Sequence, residues 1–217
     1  MPASPNAFML FFNFQIVLGQ NLLSNADKQD ILKYHNIARA QVGVPALGWD
    51  TNIESATVSC LAQKQPSSMQ HGICQGYQGL QAAGENLAYG VSGAKATLMF
   101  IAEKCQNAGP NSFGHWSQVV WKDTTNMACA QVQQSGMIYC EYLPKGNVAG
   151  GVAYTQPPNN GDCNGASLNE EAFKQGASAP ARAPQVVPQT VPPVQPAVQV
   201  VQAAPAIQLA PVVQCSQ

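Results

Sequence analysis

The chain has 217 residues, of which only 10% are charged, and its formal net charge at pH 7 is −1. A near-neutral chain without a basic patch lacks the electrostatic footprint of a nucleic-acid-binding protein, so we predict no nucleic-acid partner. The seven cysteines favour an exported protein, because disulfides persist in oxidising compartments.

Residues 1–19 have the pattern of a cleaved signal peptide. Apolar residues at 7–12 and 16–18 form a short core, and Gly19 offers a small residue before a cleavage site. The segment lacks Lys and Arg, so only the amino terminus supplies the usual positive charge. We therefore predict a secreted, extracellular protein. The apolar core is too short to span a bilayer, so we predict that the protein is not transmembrane. The alternative to a signal peptide is a buried N-terminal helix.

A helix is predicted from Ser24 onward. Ser24 and Asp27 have the spacing of a capping box, and apolar residues then recur at helical intervals until Gly43 and Pro45 end the pattern. His35 falls on this apolar stripe. We therefore interpret it as a core histidine bonded to the backbone rather than as a ligand.

A second helix is predicted after Thr51, which forms a capping box with Glu54 and places Cys60 on the inward face. Residues 65–84 then contain Gly, Ser, Gln and Pro without periodicity, which indicates a long loop. Loops of this length in a compact domain are usually functional or disordered. Cys74 lies in this loop and pairs most economically with Cys60, in a disulfide worth about 3 kcal/mol.

The third predicted helix, over about residues 94–105, carries a carboxylate on its apolar face. The spacing i, i+3, i+4 and i+7 relates Ala96, Met99, Phe100 and Glu103. A buried carboxylate without a partner is strongly unfavourable unless it takes up a proton. Glu103 therefore needs a partner or a cleft, unless it lies at the edge of the stripe and reaches solvent.

The clearest pair of strands comprises residues 127–133 and 137–143, and the residues between them suit a tight hairpin. A loop centred on residues 134–135 places Cys129 directly opposite Cys140. Cross-strand neighbours lie within disulfide reach, so we predict that these two cysteines are bonded.

Cys105 and Cys163 remain as a third disulfide pair by elimination, although sequence alone leaves the connectivity open.

The C-terminal part of the chain is a predicted tail. From about residue 177 the chain is almost wholly Ala, Val, Pro and Gln, and the prolines exclude a long helix. We predict that residues 164–217 form a disordered tail, whose odd cysteine, Cys215, either pairs between molecules or stays free.

Four short blocks stand out along the chain. They read Tyr-His-Asn-Ile-Ala-Arg at 34–39, Gly-Glu-Asn-Leu at 84–87, Gly-His-Trp-Ser-Gln-Val-Val-Trp at 114–121 and Met-Ile-Tyr-Cys-Glu-Tyr-Leu-Pro-Lys-Gly-Asn-Val at 137–148. In this order they resemble the CAP superfamily, which comprises cysteine-rich secretory proteins, antigen 5 and pathogenesis-related class 1 proteins. Glu141 departs from the family pattern, which usually has a smaller or neutral residue such as Asn there, and it alters the local charge.

The resemblance implies an α+β fold for the CAP/SCP domain at residues 23–163: a three-layer α-β-α sandwich with a small central antiparallel sheet. It also implies that four side chains converge on one cleft: His71, Glu85, Glu103 and His115.

The apolar run at 118–121 suits a short buried strand. From the residues alone, a structural role for His115 is as reasonable as a role in a site.

Two imidazoles beside two carboxylates could hold a divalent cation such as zinc. His71 and His115 would be the ligands, and a carboxylate or water would complete the shell. The spacing of the four residues is not by itself a zinc motif.

Three functions compete. The resemblance favours a secreted protein that binds a small apolar ligand, a sterol or fatty acid, between helices or under the loop at 65–84, and acts in defence or host interaction. The alternatives are an extracellular effector that acts through protein contacts and a metal-dependent hydrolase using the same cleft. The sequence has neither a His-Glu-x-x-His helix nor a Gly-x-Ser-x-Gly elbow, so we predict that the protein is not an enzyme.

Overall fold

The computed structural model describes residues 21–106, 109–131, 136–158 and 160–175. The predicted signal peptide, the hairpin residues 134–135 and the chain beyond residue 175, including Cys215, lie outside the described residues. The helices are α1 (Asn25–Gln41), α2 (Thr51–Lys64), α3 (Gly93–Ala102), α4 (His115–Val119) and α5 (Glu170–Gln175), with a 3-10 turn at Glu103–Cys105. The strands are β1 (Gly48–Trp49), β2 (Gly84–Tyr89), β3 (Asn126–Gln131), β4 (Met137–Leu143), β5 (Cys163–Asn164) and β6 (Ser167–Leu168).

The start of α1 is the one predicted from the sequence. The Ser24 hydroxyl accepts from the Asp27 backbone N–H at 3.1 Å, and the Asp27 carboxylate accepts from the Ser24 N–H at 3.2 Å. This reciprocal capping box satisfies two N–H groups that have no partner inside the helix.

His35 is a core residue, as predicted. Its Nδ1 lies 2.8 Å from the Ile31 carbonyl oxygen and its Nε2 lies 2.8 Å from the Tyr142 hydroxyl. Because a carbonyl can only accept, Nδ1 carries the proton and Nε2 accepts from Tyr142. Burial lowers the pKa of His35 to about 4, so the ring is neutral at physiological pH.

The predicted capping box of α2 is wrong by one residue. The N-cap is Asp50, whose carboxylate accepts from two backbone N–H groups of the first turn. Glu54 instead accepts from the Trp49 indole at 2.8 Å and from the Lys28 ammonium at 2.5 Å. Asp is a strong N-cap residue, so Asp50 takes the position predicted for Thr51. The Glu54 carboxylate, which the predicted capping box required, is bonded to Trp49 and Lys28 instead.

The apolar stripe of α3 differs from the predicted one. Met99 is 48% exposed, and the buried stripe consists of Ala96, Thr97, Leu98, Phe100 and Ile101. After Ala102 the chain tightens into the 3-10 turn, which changes the direction of the following side chains. Glu103 therefore lies at the edge of the stripe, with 39% of its side chain exposed.

The main sheet has the strand order β1-β3-β4-β2. Strands β2, β3 and β4 are antiparallel, and two-residue β1 pairs in parallel with β3, so the sheet is mixed rather than wholly antiparallel. Cys129 lies opposite Cys140 in the register, with the Cα atoms 4.0 Å apart and the disulfide formed. The other described disulfides, Cys60–Cys74 and Cys105–Cys163, also follow the predicted pairing.

The sheet is covered on both faces, which gives the α+β sandwich. Side chains alternate across a strand, so neighbours along β3 and β4 enter different cores. One core packs against α1, α3 and α4 and includes Met127, Cys129, Ile138, Cys140 and Tyr142. The other packs against α2 and the loop at 65–84 and includes Ala128, Ala130, Met137 and Tyr139.

The predicted strand at 118–121 is wrong, because this segment begins inside α4. The Gly114 N–H donates to the Ser117 hydroxyl at 2.8 Å, and the Trp116 N–H donates to the Glu103 carboxylate at 3.1 Å. These bonds satisfy N–H groups that have no partner inside the helix. The apolar residues are buried as predicted, but against helices rather than within a sheet.

Arg39 stabilises the other end of α4. Its buried guanidinium donates to the carbonyl oxygens of Val119, Trp121 and Thr124 at 2.8–3.0 Å. Burial lowers the pKa of Arg39 to about 10, which leaves it charged. One side chain of α1 thus holds the chain that leaves α4.

The fold continues beyond Cys163, where the sequence placed the end of the domain. Strands β5 and β6 form a small hairpin, and α5 follows. Phe173 of α5 is fully buried and contacts Tyr34 edge-on, with the ring centroids 6.2 Å apart. Residues 164–175 therefore belong to the folded part of the chain.

Candidate functional site

The four predicted site residues form two histidine–glutamate pairs beside β2, an edge strand of the sheet. Glu85 is the second residue of β2, and its neighbour Asn86 donates to the His115 backbone carbonyl at 3.1 Å. Glu103 and His115 come from the 3-10 turn and the start of α4. The site is thus built where a loop, a strand edge and a helix start meet.

The His115–Glu103 pair is the tighter one. His115 Nδ1 lies 2.6 Å from Glu103 Oε1, and the imidazole stacks on Phe100 with ring centroids 4.8 Å apart. Burial acts to raise the pKa of Glu103, but hydrogen bonds from the His115 side chain and the Trp116 N–H outweigh it and hold the pKa below its ordinary value. Glu103 therefore stays ionised at neutral pH and is a strong acceptor.

The His71–Glu85 pair is looser. The distance from His71 Nδ1 to Glu85 Oε2 is 3.6 Å, and 65% of the His71 side chain is exposed. Glu85 Oε2 also accepts from the Gly72 backbone N–H at 2.5 Å. Glu85 thus holds the backbone of the loop more firmly than it holds the imidazole.

The two pairs share one geometry. Each glutamate contacts the imidazole Nδ1 of a histidine and the backbone N–H of the next residue: Glu85 with His71 and Gly72, Glu103 with His115 and Trp116. A carboxylate on Nδ1 leaves Nε2 as the atom that can bind a ligand, the usual arrangement at metal-binding histidines. Glu103 thus acts as an orienting group for His115, whereas Glu85 chiefly holds the backbone at Gly72.

The pairs approach β2 from different sides. Glu85 and Asn86 are consecutive in the strand, so Glu85 points to the face covered by the 65–84 loop, whereas Asn86 points towards α4 and His115. Among the described residues, no three His, Cys, Asp or Glu side chains are grouped as metal ligands. The convergence of all four residues on one ligand stays a prediction.

Glu141 is the site residue whose position the sequence did not predict. It lies directly opposite Glu85 in the β2–β4 register and is 1% exposed. Burial raises the pKa of Glu141 to about 9, and repulsion by the adjacent Glu85 acts in the same direction. Glu141 is therefore protonated at neutral pH, and it forms a buried acid pair with Glu85 behind the 65–84 loop. The sequence did single out Glu141 by its departure from the family pattern. It could not show that Glu85 lies beside it, because that depends on which strands pair.

A loop after β4 fixes the start of α4. The Asn147 side chain donates to the Gly114 carbonyl at 3.0 Å and accepts from the Ser117 hydroxyl at 2.6 Å. Gln118 accepts from the Gly146 N–H at 3.0 Å. Ser117 is thus bonded to Gly114 and Asn147 rather than to the His115 imidazole, so these contacts do not form a serine–histidine catalytic pair.

An apolar pocket of about 430 Å³ lies at the C-terminal end of β4, and we call it the β4 pocket. It is lined by Ala82, Thr125, Asn126, Leu143, Pro144, Lys145 and Val148. A smaller pocket of about 180 Å³ lies at the other end of the strand, between residues 67–69, Tyr89 and Met137. The 65–84 loop contributes to both pockets.

Comparison with known proteins assigns the chain to a family. The sequence model of the cysteine-rich secretory protein (CAP) family matches residues 32–143, so the chain belongs to the CAP family. Pathogenesis-related protein 1C of Nicotiana tabacum is 33% identical over 153 residues, covering 64% of this chain and 88% of the relative. Pathogenesis-related protein 1 of Arabidopsis thaliana is 35% identical over 130 residues, covering 55% and 77%.

Solved structures agree on the fold. The crystal structure of NaASP2 with Zn²⁺ has a TM-score of 0.50 at 18% identity and covers 71% of this chain and 95% of that one. Venom allergen-like protein 4 of Schistosoma mansoni also has a TM-score of 0.50 at 18% identity, covering 63% and 97%. Among the described helices, none is long and apolar enough to cross a bilayer.

Proposed function

We propose that this CAP protein acts outside the cell in defence or host interaction and binds a small apolar ligand, a sterol or fatty acid, in the β4 pocket. An extracellular setting is supported by three disulfides among the described residues and by relatives named as pathogenesis-related proteins. The proposal of ligand binding rests on a single observation, the β4 pocket.

Size and lining favour the β4 pocket over the smaller one. Pockets that bury a small organic molecule usually measure about 300–1,000 Å³. The β4 pocket, at about 430 Å³, lies in that range, whereas the pocket under residues 67–69 does not. Ala82, Leu143, Pro144 and Val148 supply apolar walls.

Val148→Asn is expected to weaken ligand binding about tenfold, because it replaces exposed apolar pocket surface with an amide. Val148 is 41% exposed and lines the pocket. The measurement is extraction of radiolabelled cholesterol and palmitate by purified protein.

Met99→Asn is the matched control, because Met99 is a comparably exposed apolar residue on α3 and does not line the pocket. It should bind like the unmodified protein. If the unmodified protein extracts neither lipid, ligand binding is contradicted, and action through protein contacts becomes the better explanation.

A second candidate is a divalent cation such as zinc, held by Nε2 of His71 and of His115. The observation that favours it is the Glu103 carboxylate bonded to His115 Nδ1 at 2.6 Å, which leaves Nε2 of that ring for a ligand; Glu85 Oε2 lies on the Nδ1 side of His71 at 3.6 Å. Two imidazoles do not fill a tetrahedral shell, so water or a carboxylate would have to complete it.

His71→Ala and His115→Ala should each reduce zinc affinity by at least about tenfold if one ion bridges the two pairs. Isothermal titration with zinc at pH 7.5 measures this, and His35→Gln controls for a histidine outside the site. Full affinity in either site variant would contradict a shared ion.

A further inference from the structure

Lys145 gives the β4 pocket a charged rim. Its side chain is exposed and belongs to the lining, and no acidic residue is among the described residues that line the pocket. An ammonium beside apolar walls is complementary to a ligand that has an apolar body and one negative charge.

The neutral polar groups of the lining are already bonded to each other. The Thr125 hydroxyl donates to the Leu143 carbonyl at 3.3 Å, and the Asn126 amide donates to the Thr125 hydroxyl at 3.3 Å. A ligand hydroxyl would have to compete with these bonds. The Lys145 ammonium, in contrast, makes no ion pair with the described part of the chain.

The backbone that carries Lys145 is held on both sides. The Pro144 carbonyl accepts from the Thr124 hydroxyl at 2.8 Å, and the Gly146 N–H donates to the Gln118 side chain at 3.0 Å. Gly146 packs so closely on α4 and the residues after it that a Cβ there would lie 2.8 Å from both Gln118 and Trp121. The rim is therefore preformed, and ligand binding does not have to order it.

We propose that the β4 pocket binds an anionic amphiphile: a fatty carboxylate whose alkyl chain covers Leu143 and Val148 and whose carboxylate pairs with Lys145 Nζ. This inference rests on the proposed ligand-binding function, chooses the fatty acid over the sterol as the ligand, and assigns recognition of the carboxylate to Lys145.

The test compares two ligands that differ only in the head group, decanoate and decan-1-ol, by isothermal titration at pH 8. The unmodified protein should bind decanoate about five- to tenfold more tightly than the alcohol, as expected for a partly exposed charge-assisted hydrogen bond. Lys145→Met should remove that preference without changing affinity for the alcohol. Lys145→Arg should restore it.

Lys64→Met is the matched control, because Lys64 is an exposed lysine at the end of α2 that does not line the pocket, and it should keep the preference. If both ligands bind equally and Lys145→Met changes neither, the carboxylate assignment is overturned while ligand binding stands. If neither ligand binds, the carboxylate assignment is overturned; the proposed function fails as well only if cholesterol and palmitate are not extracted either.

Discussion

Glu141→Gln is expected to raise the free energy of unfolding at pH 8 by about 1–3 kcal/mol and to flatten its dependence on pH. Glu141 is buried opposite Glu85, and its pKa is raised from 4.5 to about 9. A glutamine has nearly the same shape, is neutral at every pH and can donate to the Glu85 carboxylate.

The sign follows from proton binding. Between about pH 4.5 and 9 the unfolded chain has released the Glu141 proton while the folded chain keeps it. The folded state therefore binds more protons, and stability falls as pH rises through this window, by at most about 1.4 kcal/mol per pH unit. Below pH 4.5 both states are protonated and the contribution is fully present.

Urea unfolding at several values between pH 4.5 and 9 measures this dependence. The difference between the variant and the unmodified protein should grow with pH. Glu171→Gln, on the exposed face of α5, is the control and should give a curve parallel to that of the unmodified protein. Parallel curves for Glu141→Gln as well would mean that Glu141 is ionised in the folded state.

Lys104→Met is expected to cost about 3–5 kcal/mol, the largest effect we predict for a single side chain. The Lys104 ammonium is fully buried and bonds Asp162 at 2.6 and 2.8 Å and Gln41 at 2.7 Å. The substitution leaves the Asp162 carboxylate, itself 7% exposed, without its cation. The Cys105–Cys163 disulfide lies next to this pair, so both attach the C-terminal segment to the end of α3.

Lys95→Met is the matched control, because Lys95 pairs with Glu170 at the surface. Its cost should stay below about 1 kcal/mol. Adding Asp162→Asn to Lys104→Met should recover part of the loss, since the uncompensated charge is then removed. Guanidinium unfolding gives all the values, and equal costs for the two lysine variants would show that the buried pair contributes no more than a surface one.

The glutamates of the two pairs have a role that residue types alone did not predict. Glu85 and Glu103 were candidates for a common cleft because the resemblance to the CAP superfamily implies it, and two carboxylates beside two imidazoles then suggested a metal site. In the structure each one bonds the N–H that follows its histidine, so each orients a segment of backbone, and Glu103 also orients the His115 ring. This orienting role is compatible with the apolar-ligand proposal and with the zinc proposal.

Local sequence determined the features whose partners are close along the chain. The capping box of Ser24 and Asp27 spans one helical turn, and the pairing of Cys129 with Cys140 follows from a short hairpin and the two-residue period of a strand. The core position of His35 follows from helical spacing. Short loops and fixed periods leave few alternatives, so these predictions were confirmed.

Tertiary structure decided whatever depended on partners far apart in the chain. The run after His115 became helical because Glu103 and Arg39 bond its two ends, and Glu141 became a neutral acid because β2 brings Glu85 beside it. The spacing of apolar residues indicates which positions of a segment are buried, but it does not indicate which distant residue each one contacts. Hydrogen bonding and charge at this site were therefore set by packing between the loop, the sheet edge and α4.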